Sequence, residues 1–322
     1  EEVTFEADGR EYRAFWREGQ LIHSEILRDE QGNVLSEEEA EIRYALGSGT
    51  RGISFLHVRE GGTLFQSPIS WYSQENRHDL APRYYQENLH FDRPIPPDCL
   101  YCHAGRYQVR GSQYSNEYKE PIFLDHAISC ERCHGPGSLH VENLGRPDDQ
   151  GRPLIVDPGD LAPHLREAVC QQCHFGERMD NPLPGRSIHD YRPGLPLSDF
   201  VMMLFEEPKS DDPSENSSLG HVSQMVRSAC YKASEGRLGC ISCHNPHRSP
   251  EPHERVEYYR SRCLDCHGDS SACALPLDLR LVCSPKNDCT SCHMPAAPMK
   301  DIDHTAATLH GIPRFAPVLE AP

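Results

Sequence analysis

Residues 126–140 read HAISCERCHGPGSLH, and this stretch decides what kind of core the chain can build. Cys130, Cys133 and His134 form a Cys-x-x-Cys-His unit, with His126 four residues before it and His140 six after it. Five metal-binding side chains in fifteen residues exceed what one ordinary site uses, so the flanking histidines are expected to serve neighbouring sites.

The unit recurs along the chain. Cys99-Cys102-His103, Cys170-Cys173-His174, Cys240-Cys243-His244, Cys263-Cys266-His267 and Cys289-Cys292-His293 bring it to six copies, using twelve of the fifteen cysteines. Composition alone would give well under one copy. Two thiols at this spacing reach the two vinyl groups on one porphyrin edge as thioethers, and the next residue, His, binds iron from beneath the ring. This is the attachment pattern of c-type haem. Zinc would pair two Cys-x-x-Cys units with no reason for a His after each. A redox dithiol would occur once, in a βαβ setting that is absent. The sequence therefore predicts six c-type haems, each carrying one iron.

Covalent haem attachment takes place outside the cytoplasmic membrane, so the expected location is periplasmic or extracellular. The chain opens on Glu1 with no charged-then-apolar leader, which reads as a secreted chain whose signal peptide has been removed. No apolar run reaches membrane-spanning length; the most notable is FVMMLF, residues 200–205. A net charge of −17 argues against nucleic acid as a partner. Cys230, Cys273 and Cys283 lie outside the motifs, and in an oxidising compartment a disulfide between two of them, Cys230 with Cys273, is expected.

Nineteen histidines, six of them in motifs, leave thirteen candidates for the second axial position, enough for bis-His ligation throughout. His247 follows His244 in CHNPH by three residues, a span of at most about 10 Å. That is too short to round a porphyrin, so His247 should serve a neighbouring haem. His140 follows a Gly-Pro-Gly turn and should also reach a neighbour. His57, His90, His126, His221, His304 and His310 are further candidates; His23, His78, His164, His189 and His253 stand in ordinary contexts.

Only 37% of residues are hydrophobic, while Pro (27) and Gly (23) are plentiful, so many turns and few long elements are expected. Residues 1–80 carry no motif and alternate between turn signals such as Asp8-Gly9 and Glu18-Gly19, which predicts a small antiparallel β region. Residues 81–322 are expected to be a hexahaem region with an extended C-terminal tail. Its fold should be mostly irregular, with short α-helices wrapped around a stack of six haems, because no segment so small has its own aliphatic core. PLSDFVMMLFEE and residues 224–231 are the helix candidates, and residues 210–218 read as an acidic loop.

The stretches YALGSGTRGISFLHV, DCLYCHAG, HAISCERCHGPGSLHV, LGCISCHNPH, CTSCHMP and DIDHTAATLHGIPR together resemble secreted bacterial multihaem c-type cytochromes. The likeness is to the haem region of the tetratricopeptide-associated family, here without the repeats. It implies that His57, His90, His126, His140, His221, His247, His304 and His310 include the distal ligands.

The expected function is electron transfer through mostly bis-His, low-spin haems, with redox partner proteins or an extracellular electron acceptor as partners. A homopolymeric filament is an elaboration of this role. The alternative is a multihaem oxidoreductase acting on a small nitrogen or sulfur compound at one open haem. Such reductases often replace one motif histidine by Lys, whereas all six motifs here end in His.

Overall fold

The computed structural model describes residues 2–112, 114–175, 182–204, 220–268, 273, 275–282, 287–299 and 304–313. The chain divides into two units, residues 1–129 with 298–305, and residues 130–297 with 306–322.

The first unit is a large antiparallel sheet, and this corrects the expectation of a mostly irregular fold with a small β region. Strands β1 (Val3–Ala7), β2 (Arg10–Arg17), β3 (Gln20–Arg28), β4 (Val34–Leu46), β5 (Gly52–Arg59), β6 (Thr63–Tyr72) and β7 (Arg77–Leu80) pair in sequence order. An eighth strand, β8 (Arg93–Pro94), pairs with β6. The first two turns are legible in the sequence. Asp8-Gly9 and Glu18-Gly19 are two-residue loops with positive φ at both positions, the hairpin geometry that follows strand twist. The 13-residue β4 is not legible, because Glu37, Glu38, Glu39 and Glu41 replace the apolar alternation that marks a strand. Pairing to both β3 and β5 holds it there, with Arg17–Glu39 and Arg59–Glu38 as cross-strand ion pairs.

Two hydrophobic clusters stabilise this unit. One joins Tyr12 and Ala14 of β2 to Ile69 of β6, Leu80 of β7 and Tyr84, so the two ends of the meander curl together. The other packs Leu56 and Leu64 against Leu100 and Ala104, and against Tyr118, Ile122 and Phe123 of the hairpin β9 (Tyr107–Val109) and β10 (Tyr118–Phe123). Leu100 belongs to helix α1 (Pro97–His103), so the first motif is anchored on the sheet. Leu56 is fully buried. Replacing it by Ala should cost about 2–5 kcal/mol, read as faster amide exchange across β5 and β6 with the second unit unchanged.

His23 lies in this core with no exposed surface, its Nδ1 2.7 Å from Ser67 Oγ and its Nε2 without a partner. Burial pushes its pKa down to about 3, with His78 and His57 adding to the effect. The unfolded chain takes up this proton near pH 6.5, so the native unit binds fewer protons between there and pH 3. Stability is therefore full above pH 6.5 and falls on acidification by about 1.4 kcal/mol per pH unit. His23→Gln should flatten that acid limb, as measured by amide exchange of β3 and β6 from pH 7 to pH 4.5.

The second unit is built differently. Its helices are α2 (Cys130–His134), α3 (Ser138–Glu142), α4 (Pro163–His174), α5 (His221–Arg227), α6 (Ala229–Ala233), α7 (Cys240–Cys243), α8 (Arg255–His267), α9 (Leu277–Val282) and α10 (Cys289–His293). The helix expected over 224–231 is present as α5 and α6, broken at Ser228, whose hydroxyl accepts from the Tyr231 N–H. The other candidate shows only a turn at Leu197–Asp199 and a β-bridge from Val201 to Pro182; its residues from 205 onward lie outside the described residues. The acidic loop at 210–218 and Cys283 lie outside them too. Cys230 and Cys273, expected as a disulfide, are free thiols. Among the described residues no helix is long and apolar enough to cross a membrane.

Candidate functional site

All six motifs occupy the same local structure. In α1, α2, α4, α8 and α10 the motif histidine is the last helical residue, and in α7 the helix ends one residue before His244. One helical turn places the two cysteines, three apart, and the histidine, four from the first cysteine, on a shared face. Among the described residues no three His, Cys, Asp or Glu side chains gather as a bare metal cage. The motifs therefore do not pair into zinc sites, which need four converging ligands.

The surroundings fit a large apolar group. Helices α2, α3, α7, α8, α9 and α10 contain no buried residue. Both hydrophobic clusters belong to the first unit. Ile128, Leu139, Val141, Ile241, Leu277, Leu279, Leu281 and Val282 are exposed on or between the motif-bearing segments. Helices this short do not persist in water without a packing partner, and a porphyrin would supply one.

Three of the histidines are each held in one tautomer. His134 Nδ1–H donates to the Val156 carbonyl at 2.8 Å, and His293 Nδ1–H to the Pro313 carbonyl at 2.8 Å. His310 Nδ1–H donates to the Thr308 carbonyl at 2.9 Å. A carbonyl only accepts, so each bond places the proton on Nδ1 and leaves the Nε2 lone pair for a metal. Burial holds His310 below its ordinary pKa, and the packed surroundings do the same for His244 although one face stays open to solvent. The neutral imidazole is the ligating form.

Two pairs of rings stand at the separation one iron requires. A metal–imidazole bond is about 2 Å, and a ring centre lies about 1 Å behind its nitrogen, so imidazoles on opposite sides of one iron have centroids about 6 Å apart. His134 and His247 are 5.9 Å apart with planes 8° from parallel. His244 and His310 are 6.2 Å apart at 30°. His221 stacks on His310 at 4.4 Å, too close to admit an iron between them. His247 thus faces the histidine of another motif, as its short spacing from His244 requires.

The remaining candidates are placed otherwise. His126 is exposed near Tyr44 and Phe123, and Gly105, just beyond the first motif, backs onto Asp125 and the Ala127 carbonyl with no room for a side chain. The polypeptide carrying His126 is thereby laid against the first motif. His140 lies over Gly145 in the turn after α3. His57 is buried in β5, its Nε2–H donating to the Phe91 carbonyl at 2.9 Å. His90 Nδ1 lies 2.6 Å from Glu25. His304 is held on both nitrogens at 2.9 Å, Nδ1 by Glu75 and Nε2 by Asp79.

Helix α4 holds residues that motif reading missed. Gln172 donates to the Arg132 carbonyl of the second motif at 3.1 Å, and buried Glu167 accepts from the Cys240 N–H of the fourth at 3.0 Å. The only signal in the sequence is register: Glu167 precedes Cys170 by three residues and shares its face.

Residues 233–272, which include the fourth and fifth motifs, match the family model of the doubled CXXCH motif. No curated protein and no solved structure matches the chain. The match covers too little of the chain to fix its family, yet with the motif geometry it marks covalently bound c-type haem, attached outside the cytoplasm, as in multihaem c-type cytochromes.

Proposed function

We propose that the chain carries six covalent c-type haems and transfers electrons among them, outside the cytoplasm, between redox partner proteins or to an extracellular acceptor. The observation that carries this reading is the His134–His247 pair, two nearly parallel imidazoles, one of the second motif and one just after the fourth, spaced for one iron between them. An iron closed on both axial sides takes and gives single electrons without binding substrate, its potential set by ligands, burial and nearby charge.

Twelve thiols hold the groups: Cys99 and Cys102, Cys130 and Cys133, Cys170 and Cys173, Cys240 and Cys243, Cys263 and Cys266, Cys289 and Cys292. His103, His134, His174, His244, His267 and His293 bind from the proximal side. His247 is the distal ligand for the second motif and His310 for the fourth. His126 serves the first motif, beside which Gly105 packs it. His140, His221 and one of the exposed His164 and His253 are left for the other three. His57, His90 and His304 have nitrogens already held by a carbonyl or carboxylates, and act in the fold of the sheet.

The test is spectroelectrochemical titration of protein exported through a haem-attachment pathway. Low-spin absorption at every haem, reduced reversibly in one-electron steps, is expected. A ferric haem that binds a small ligand such as cyanide or nitrite immediately would instead place an open iron in the chain.

A further inference from the structure

Strand β4 is paired on both sides over only part of its length. It pairs with β3 over residues 34–42 but with β5 only over 42–46. A bulge between Ile42 and Tyr44 marks the parting, and beyond it Val58 and Arg59 of β5 pair with β6 alone. Among the described residues no strand pairs with the other edge of residues 36–41. Every second residue there therefore turns its N–H and C=O away from the sheet. A cleft of about 330 Å³ opens where the strands part, lined by residues 38–41 and Arg43 of β4 and by residues 57–59 of β5.

A free edge is a template for another strand, and this one is not blunted by proline or by a break in register. Residues 36–41 read SEEEAE, pair without interruption on the β3 side, and are exposed except for Ala40. Side chains alternate along a strand, so Glu37, Glu39 and Glu41 form a row on one face. Glu39 is held by Arg17 at 2.6 Å and Glu38 by Arg59 at 3.3 Å, whereas Glu37 and Glu41 form no ion pair among the described residues. The cations at the cleft are already engaged, Arg43 by Glu120 and Arg59 by Asp92 as well. A second copy of this chain on the edge would set glutamate against glutamate, and like charges directly opposite repel. The same carboxylates attract a cationic strand, and a net charge of −17 draws a basic partner toward the chain. We propose that residues 36–41 are a docking edge for a basic partner protein. An extended segment of that partner adds to β4 as a strand, with Lys or Arg at alternate positions facing Glu37, Glu39 and Glu41. The surface lies on the sheet, and its use does not depend on what the motifs carry.

The test titrates the full-length protein with a synthetic peptide that alternates Lys and Val, read by fluorescence anisotropy at low salt and by amide exchange. Binding is expected, with slowed exchange at alternate residues of 36–41. The same peptide N-methylated along its backbone keeps its charge but cannot form a ladder, and should not bind. Joint replacement Glu37→Gln, Glu39→Gln and Glu41→Gln should weaken binding roughly tenfold, with unaltered protection in β3 showing that the variant is folded. No binding of the Lys peptide, or equal binding of its N-methylated form, overturns strand addition. Equal binding by the glutamine variant overturns the choice of a basic partner. So does protection of residues 36–41 that rises with protein concentration in the absence of peptide, since a second copy then occupies the edge.

Discussion

Produced without haem attachment, the full-length chain is expected to keep its N-terminal sheet and to lose protected structure in α2, α3 and α7–α10. The two halves of this expectation rest on different physics. The first unit has its own buried side chains: Tyr12, Leu56, Leu64, Ile69, Tyr72, Leu80 and Leu100 are all at or below 2% exposure, and all but Tyr72 belong to its two hydrophobic clusters. Their burial needs no cofactor. Helix α8, by contrast, runs thirteen residues, RVEYYRSRCLDCH, without one buried residue. An isolated helix of that length is marginal in water, and the contacts it lacks are those a porphyrin at Cys263 and Cys266 would supply. Amide exchange on chain made in a cytoplasm lacking attachment machinery should show slow exchange in β2, β3, β5 and β6. The motif helices should exchange near the unfolded rate, a loss of protection of 10²-fold or more for about 3 kcal/mol of packing. Equal protection of α8 with and without haem would overturn this division.

The second large effect is expected from His247→Ala. His247 is exposed, so removing it takes little from any protein core. Both thioethers at Cys130 and Cys133 and the proximal His134, oriented by Val156, are untouched. The mass should therefore still show every haem, while one iron loses its sixth ligand. The ferric spectrum should then gain a high-spin component from one haem, and that haem should bind cyanide while the others stay closed. His310→Ala should do the same at His244. His304→Ala is the contrast: its nitrogens bind Glu75 and Asp79, so the spectrum should not change and only the sheet should loosen.

Much of the site was written in the sequence, because covalent attachment demands fixed spacing. Cys-x-x-Cys-His survives any fold, and the short reach of Cys-His-Asn-Pro-His already excluded His247 as a ligand to its own motif's iron. The distal partners were less legible, since a free His carries no spacing constraint. His126 and His310 are brought beside motifs by the close approach at Gly105 and by Gln224, whose side chain accepts from the His310 N–H, features visible only in three dimensions. His57 and His304 illustrate the converse: plausible in sequence, they have nitrogens engaged by the Phe91 carbonyl or by carboxylates.

The fold was misjudged for a physical reason too. Low hydrophobicity averaged over the chain hid a sheet whose strand β6, TLFQSPISWY, is mostly buried, and whose longest strand is rich in glutamate. Its buried polar side chains, His23, Ser67, Ser70 and Asp79 among them, lower the apparent apolar content without lowering burial.

The proposed electron transfer requires that the six motifs carry haems closed on both sides. Intact mass of the exported protein, followed by potentiometric titration of its visible spectrum, tests this most directly. The prediction is a mass increase equal to six haems and reversible reduction of a wholly low-spin spectrum. A mass showing bare thiols, or a high-spin haem in the unaltered protein, would contradict it.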